Sequence, residues 1–395
     1  MNSRRSPYRT APGSEPPELA GREGELGAAS YAIDMAAAGE PPNPIVFLGL
    51  RGMGKTALLR DVAAQAQGAG ALTVIAEADR ELRFVDVMRD ELSAALKDSE
   101  SFPIRLRAAL ARIVEHLPKL SYELPHEAGS VSITGSGDAA GDTSSDGLES
   151  ELLHLNDQLH RNGRFLMIGL DEIQEASRRD LLRIVRVVHK TAGTDTPIFF
   201  VGAGLPSTPA ILHEVRTYTE RWAKYQLNLL DKDATFAAIE RPAEKLGVTW
   251  DRDALDRMYD VSFGYPYFLQ QYASATWLRA KATTISKDDV NAVVPGVRSL
   301  LDASLYEPQF AQLTPREAAF VLALHDLGPG SHRLDDVAQR LNVASSAEIG
   351  STRSRLAKKD VVFSAIRGRV EFRMPLANDF IDRTRDRIEA LVAFR

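Results

Sequence analysis

The sequence predicts an α/β protein with a parallel-sheet core, followed by a helical lid and then a winged helix-turn-helix domain. Short apolar, β-favouring runs at 45–48, 164–170 and 196–201 alternate with helical stretches, which is typical of a parallel sheet. Three short helices and a hairpin follow Thr314, which predicts the winged helix. The expected organisation is a flexible tail at 1–16, an α/β core at 17–228, the lid at 229–305 and the winged helix at 306–395.

Composition excludes several classes of protein. The chain has 395 residues, of which 44% are hydrophobic and 26% charged, so a folded protein of two or three domains is expected. It contains no cysteine, which excludes disulfides, thiolate nucleophiles, zinc fingers and iron–sulfur clusters. We expect a reducing compartment, the cytoplasm. No apolar run approaches the ~20 residues of a membrane helix, and the first residues do not resemble a secretory signal.

One motif identifies a phosphate-binding loop. Residues 49–56, with the sequence GLRGMGKT, fit G-x-x-x-x-G-K-[ST] between the run at 45–48 and a predicted helix at 57–67. Glycines allow consecutive N–H groups to converge on a phosphate, and the helix N-terminus adds its positive dipole end. Lys55 is expected to contact the β- and γ-phosphates of ATP, and Thr56 to bind Mg²⁺. The alternative is a strand-to-helix turn that matches the motif by chance.

Two acidic residues directly follow the run at 164–170. Ligands of a parallel sheet bind at the carboxyl ends of its strands. We therefore expect Asp171 to hold Mg²⁺ through water and Glu172 to polarise an attacking water. Such a pair also occurs as an ordinary helix cap. After the run at 196–201, Ser207 and Thr208 are the nearest polar candidates for sensing the γ-phosphate, although a simple turn explains them equally.

The order of these motifs resembles an AAA+ type P-loop NTPase. The resemblance rests on residues 49–56, Asp171-Glu172, GAGLP at 202–206, YTER at 218–221 and GYP at 264–266. More narrowly, the chain is similar to bacterial relatives of the origin-recognition ATPases, which are of archaeal type, and to the signal-transducing STAND ATPases. The similarity covers about residues 17–300.

The resemblance implies roles for further residues. Gly21-Arg22-Glu23 matches a motif that opens the module near the adenine. Arg221 matches the position of an arginine finger that acts on a neighbouring subunit, and a surface arginine is the alternative. Pro266, in the Gly-x-Pro segment, is implied to lie near the base, and a plain helix start is the alternative. The nucleotide-binding set is Gly49, Leu50, Arg51, Gly52, Met53, Gly54, Lys55, Thr56, Ala57 and Pro266.

Two further segments stand out by their composition. Residues 126–149 are rich in Gly, Ser, Thr and Asp, and we interpret them as a surface loop inserted in the core.

The segment from Arg353 to Arg373 contains seven basic residues and only two acidic ones, and it covers the predicted third helix and hairpin. These predicted DNA contacts are Arg353, Arg355, Lys358, Lys359, Arg367, Arg369 and Arg373. A winged helix that docks a protein, or packs on its own ATPase domain, is the alternative.

Together these observations predict an ATP- and Mg²⁺-dependent switch. In this interpretation ATP binding and hydrolysis change the contact of the winged helix with double-stranded DNA in replication, transposition or defence. The alternative is a STAND-like signalling or scaffold ATPase whose winged helix contacts a protein partner. A homo-oligomer is implied only if Arg221 acts in trans.

Overall fold

The structure is a computed structural model that describes residues 5–11, 13–79, 84–97, 104–121, 143–364, 366–374 and 376–393. The chain forms two compact units. The first, called here the α/β unit, comprises Glu23–Leu48 and Lys55–Gln226. The second, the helical unit, comprises Met1–Arg22, Gly49–Gly54 and Leu227–Arg395. Among the described residues, no helix is both long enough and apolar enough to cross a membrane.

The α/β unit is built on a five-stranded sheet. Its strands are β1 (Ile45–Leu48), β2 (Leu72–Glu77), β3 (Leu166–Asp171), β4 (Ile198–Gly204) and β5 (Ala223–Gln226). They lie in the order β2-β3-β4-β1-β5, and every neighbouring pair is parallel. The predicted α/β fold is therefore confirmed.

Burial follows position in the sheet. The three central strands β1, β3 and β4 are buried along their whole length, whereas the edge strands β2 and β5 are partly exposed. Wholly apolar runs in a sequence are typical of strands covered on both faces. The central strands were predicted for this reason, and β2, whose residues alternate in burial, was not.

Seven helices of the α/β unit lie in the described residues. They are α1 (Glu23–Ala37), α2 (Lys55–Gly68), α3 (Phe84–Lys97), α4 (Ile104–Ser121), α5 (Thr143–His160), α6 (Arg178–Thr191) and α7 (Thr208–Val215). The expected loop at 126–149 is contradicted in part, because residues 143–149 belong to α5. The rest of that loop, 126–142, lies outside the described residues.

The helical unit contains the predicted lid helices. They are α8 (Lys232–Glu244), α9 (Arg252–Ser262) and α10 (Pro266–Arg279), which all lie within the predicted lid at 229–305. A further helix, α11 (Lys287–Leu301), and a two-stranded parallel ribbon, β6 (Thr249–Trp250) with β7 (Thr284–Ile285), were not predicted.

The N-terminal segment packs against these helices, so the expected flexible tail is wrong for its described part. Tyr8 is buried, and its hydroxyl donates to the Ile239 carbonyl at 2.8 Å and accepts from Trp250 Nε1 at 3.1 Å. The Arg9 amide donates to Gln270 Oε1 at 2.9 Å. This charged, proline-containing segment has no apolar periodicity from which its packing could be predicted, and Tyr8 is the one aromatic residue among positions 1–16.

The C-terminal region, residues 302–393, begins with a π-helical turn, Asp302–Tyr306, and α12 (Glu307–Phe310). It continues with α13 (Pro315–His325), β8 (His332–Arg333), α14 (Leu334–Arg340), α15 (Ser346–Lys358), β9 (Val362–Phe363), β10 (Arg369–Phe372) and α16 (Ala377–Ala393). The strands form an antiparallel sheet in the order β8-β10-β9. Three helices and a hairpin occur where predicted, whereas β8 and α16 were not predicted.

Candidate functional site

The phosphate-binding motif has the strand–loop–helix context that its chemistry requires. β1 ends at Leu48 and α2 begins at Lys55. Gly52 and Gly54 adopt φ angles of 74° and 88°, which L side chains rarely adopt, so the turn depends on glycine. Lys55 is only 4% exposed. The turn leads directly into the first N–H groups of a helix, which is a favourable place for an anion.

The α/β unit brings Thr56 and Asp171 together from distant parts of the sequence. Thr56 Oγ1, on α2, donates to Asp171 Oδ2 at 2.6 Å, and Asp171 ends β3. Burial raises the pKa of Asp171, and the hydrogen bonds from Thr56 and the Glu172 amide, with the charge of Lys55, oppose that rise. The buried carboxylate therefore lies in a place where a cation would stabilise its charge.

The oxygen atoms of Thr56 and Asp171 suit Mg²⁺, and they are too few for a metal whose ligands all come from the protein. No cluster of three or more His, Cys, Asp or Glu in the described ranges is arranged to hold a metal. Mg²⁺ commonly keeps several waters and takes only one or two protein oxygens together with substrate phosphates. The Thr56 hydroxyl and the Asp171 carboxylate supply such a pair.

Glu172 follows in an unusual backbone conformation. Its φ and ψ are 49° and 45°, in the left-handed region, and its amide donates to Asp171 Oδ1 at 2.9 Å. Its carboxylate accepts a hydrogen bond from Gln174 Nε2. Gln174 was not predicted as a site residue. Its only signal in the sequence is that an amide follows the acidic pair by two positions.

The two polar residues considered after β4 behave differently. Thr208 is fully buried at the start of α7, and a Cβ placed on Gly204 would collide with its hydroxyl. Ser207 is partly exposed and its side chain does not cap α7. The side chain of Thr208 is therefore part of the protein core. Both residues fit the alternative of a simple turn better than a role in sensing the γ-phosphate.

Arg221 ends a 3₁₀ turn, Thr217–Arg221, just before β5. It is exposed, and no contact between its side chain and Lys55, Thr56 or Asp171 occurs in the described structure. Its carbonyl accepts from Asn43 Nδ2 at 3.1 Å. The backbone of Arg221 is thus fixed while its guanidinium extends from the surface.

In the helical unit, the Gly-x-Pro segment contacts the phosphate-binding loop through its middle residue. Tyr265 donates from its hydroxyl to the Arg51 carbonyl, and a Cβ on Gly52 would collide with Tyr265. Gly264 has a φ of 69° and lies against the Leu230 backbone, so no larger residue fits there. Pro266 occupies the first turn of α10, as predicted. The contact of Pro266 with a base remains a prediction. Tyr265 is part of the GYP segment named above, but no role was predicted for its side chain.

Two arginines make further contacts around the loop within the helical unit. Arg22 is buried and donates to the carbonyls of Met53, at 3.3 Å, and Asn228, at 2.8 Å. Arg51 pairs with Asp360, just after α15, at 3.3 Å. The Gly-Arg-Glu motif and the C-terminal region therefore both contact the loop.

Most of the predicted DNA-contact residues are already engaged within the C-terminal region. Arg355 and Lys359 pair with the buried Glu317 at 3.3 and 2.7 Å. Arg373 pairs with Asp360. Arg353 and Arg369 donate to hydroxyls of Ser364 and Ser331. Only Lys358 and Arg367 of the seven are exposed with no side-chain hydrogen bond or ion pair in the described structure.

The family comparison agrees with this geometry. Residues 18–201 match the AAA ATPase domain family, so the chain contains an AAA+ P-loop ATPase domain. Residues 303–381 match a second family, described as Domain of unknown function (DUF8462). None of the curated proteins matches the chain.

Among solved structures, the Walker-type ATPase paby2304 of Pyrococcus abyssi has a TM-score of 0.56 at 15% identity, over 95% of this chain and 99% of that one. This similarity shows the fold. Cdc6p from Pyrobaculum aerophilum also matches, with a TM-score of 0.47 at 15% identity over 97% of both chains. The Aeropyrum pernix Orc1 protein in complex with DNA has a TM-score of 0.45 at 16% identity over 94% of both chains.

Proposed function

We propose that this protein is an ATP-hydrolysing switch whose C-terminal region, interpreted as a winged helix, binds double-stranded DNA according to nucleotide state. The observation that carries the ATPase part is the contact between Thr56 and Asp171, next to the buried Lys55. Loop, lysine, hydroxyl and strand-end carboxylate are the parts that phosphoryl transfer needs. The absence of cysteine supports the cytoplasm as its location.

Each residue has a defined role in the proposed reaction. Lys55 would neutralise charge on the β- and γ-phosphates of ATP, and Thr56 and Asp171 would hold Mg²⁺. The bound metal would also neutralise charge on the phosphates. Glu172 orients a water and accepts its proton as the water oxygen bonds to the γ-phosphorus and the bond to the β-phosphate oxygen breaks. The exposed Arg221 is available to a neighbouring copy of the chain.

The DNA part rests on the exposed surface of α15 and the hairpin. The exposed positions of α15 are small or charged, with Glu348 the one acid among Ala347, Glu348, Ser351, Ser354, Arg355 and Lys358. Arg367 is exposed in the hairpin turn. Small polar residues allow a helix to approach a phosphate backbone closely, and hydroxyls and lysines are usual phosphate contacts. These features support DNA as the partner.

A protein partner is the second candidate, and one observation favours it. Five of the seven predicted DNA contacts are occupied by hydrogen bonds or ion pairs within the C-terminal region. A domain whose basic residues serve internal contacts has less charge to offer nucleic acid. This favours the STAND-like alternative.

The test is ATP hydrolysis by the purified protein with and without duplex DNA, beside Glu172→Gln. We expect the rate of hydrolysis to be about 10²- to 10⁴-fold lower in Glu172→Gln, because the amide cannot accept the proton. We expect the rate of the unmodified protein to rise when DNA is added. Hydrolysis unchanged by Glu172→Gln contradicts the proposed site. Hydrolysis that depends on Glu172 but ignores DNA supports the signalling alternative.

A further inference from the structure

Gln174 connects Glu172 to the end of strand β4. It lies in the 3₁₀ turn Ile173–Glu175, and its Oε1 accepts from the Leu205 amide at 3.0 Å while its Nε2 donates to Glu172 Oε2. A backbone amide can only donate, so the side-chain oxygen must face Leu205. The NH₂ group is therefore left to face the carboxylate, and the orientation of the side chain follows from chemistry.

The glycines that end β4 leave room for this connection. A Cβ on Gly204 would collide with the Thr208 hydroxyl and lie 3.1 Å from Gln174 Oε1. A Cβ on Gly202 would collide with the Ile173 side chain. No polar side chain projects from this strand end at 202–204. Gln174 instead brings a polar group to this strand end from the turn that follows β3.

The turn that carries Glu172 is held firmly. The Glu175 amide donates to the Glu172 carbonyl at 2.7 Å, and the Ala176 amide donates to the Ile173 carbonyl at 3.1 Å. A left-handed conformation is unfavourable for a residue other than glycine, so it persists only where its surroundings impose it. The backbone aims the Glu172 side chain, and Gln174 fixes one of its two oxygens.

We propose that Gln174 is a positioning residue of the ATPase, which holds Glu172 Oε2 so that Oε1 faces the attacking water. Gln174 exchanges no proton: the water proton passes to Glu172. Because the side-chain amide of Gln174 is also hydrogen-bonded to the Leu205 amide, a shift of the turn between β4 and α7 moves the Glu172 carboxylate. The inference rests on the proposed ATPase function and adds a way in which the position of this turn can regulate hydrolysis.

Two substitutions separate the contacts of Gln174. Gln174→Met keeps the length of the side chain and removes both hydrogen bonds. Gln174→Glu keeps an acceptor for the Leu205 amide but replaces the NH₂ group with an oxygen that repels Glu172. In both variants we expect kcat to fall roughly 10- to 100-fold, as for a misplaced catalytic group. The KM and Kd for ATP should stay within about twofold, because the P-loop residues are unchanged.

The measurements are steady-state ATP hydrolysis, equilibrium ATP binding and thermal unfolding, with Glu172→Gln and Gln65→Met alongside. Gln65 is an exposed glutamine on α2 that bonds to Asp61, so its variant should behave as wild type. If Glu172→Gln abolishes hydrolysis while both Gln174 variants keep the wild-type kcat, the role of Gln174 is refuted and the proposed function stands. If ATP binding and the melting temperature fall together with kcat, Gln174 supports folding and the inference is again overturned. Hydrolysis indifferent to Glu172→Gln refutes the proposed function itself.

Discussion

Glu317 is a buried acid that joins the start of α13 to the end of α15. With Thr314 it forms a capping box at the start of α13, and it pairs with Arg355 and Lys359. Burial by itself would raise the pKa of Glu317, but the hydrogen bonds from Lys359 and Thr314 outweigh that effect and lower the pKa below its ordinary value. The carboxylate is therefore held ionised within the fold.

We expect Glu317→Gln to destabilise the protein by about 1–3 kcal/mol at pH 7, because charge-assisted hydrogen bonds to two cations are lost. A lowered folded pKa gives stability that is present above the ordinary pKa of 4.5 and is lost as pH falls through the folded pKa. Urea unfolding should therefore show a difference from wild type that shrinks below about pH 4.5. Glu348→Gln, an exposed acid on α15, is the control, and an equal loss there would contradict the role of Glu317.

At the scale of residues, the site residues that lie within one local motif could be predicted from the sequence. A contact between residues that are distant in the sequence could not. Lys55 and Thr56 lie within one stretch of fixed spacing, and Asp171 and Glu172 end an apolar strand. Gln174 acts only because Leu205, more than 30 residues later, lies beside it. Pairings of this kind depend on the register of β3 and β4, which one sequence does not specify.

Helix α15 and its neighbouring hairpin show the same limit at the scale of elements. Their presence and order could be predicted because apolar periodicity and turn residues are local signals. The use of their charges could not, because Glu317, which occupies Arg355 and Lys359, lies on another helix. Strand β8 has two residues, too few for a periodic signal, and it is defined by pairing with β10.

The exposed basic residues give the sharper DNA test. We expect Lys358→Glu combined with Arg367→Glu to weaken duplex binding, and to reduce the slope of log affinity against log salt by about two, because two phosphate contacts are lost. Lys281→Glu, an exposed lysine outside the C-terminal region, is the control. The measurement is fluorescence anisotropy of labelled DNA across a salt series. Equal slopes in all three proteins would exclude α15 and the hairpin as the DNA surface.

Reversing Arg355 or Lys359 would not be a clean test of DNA binding. A glutamate at either position would face the buried Glu317, so like charges would meet inside the region. Loss of DNA binding in such a variant would report unfolding.

At the scale of the whole molecule, the helical unit links distant parts of the chain through Arg51. This residue of the phosphate-binding loop accepts a hydrogen bond from Tyr265 at its carbonyl and pairs with Asp360 through its side chain. Asp360 also pairs with Arg373. Composition and motif order predicted the separate parts, whereas this connection depends on how the parts of the unit fold together.

We expect Asp360→Asn to increase ATP affinity by about twofold. Removing a carboxylate beside Arg51 raises the local positive potential, which makes the binding free energy of the anionic ATP more favourable by about 0.5 kcal/mol. Asparagine tolerates the φ of 60° at this position, so the backbone should be unchanged. ATP binding at low and high salt measures the effect, which should shrink with salt. Asp288→Asn, an exposed acid on α11, is the control, and an equal change there would remove any specific role of Asp360.

The burial of Tyr8 has an optical consequence. The three tryptophans of the chain are divided, with Trp222 packed on Phe200 in the α/β unit and Trp250 and Trp277 edge-on to Tyr8 in the helical unit. In a Trp222→Phe protein the remaining emission arises beside Tyr8, so release of the N-terminal segment becomes visible as a change in intrinsic fluorescence without any added label.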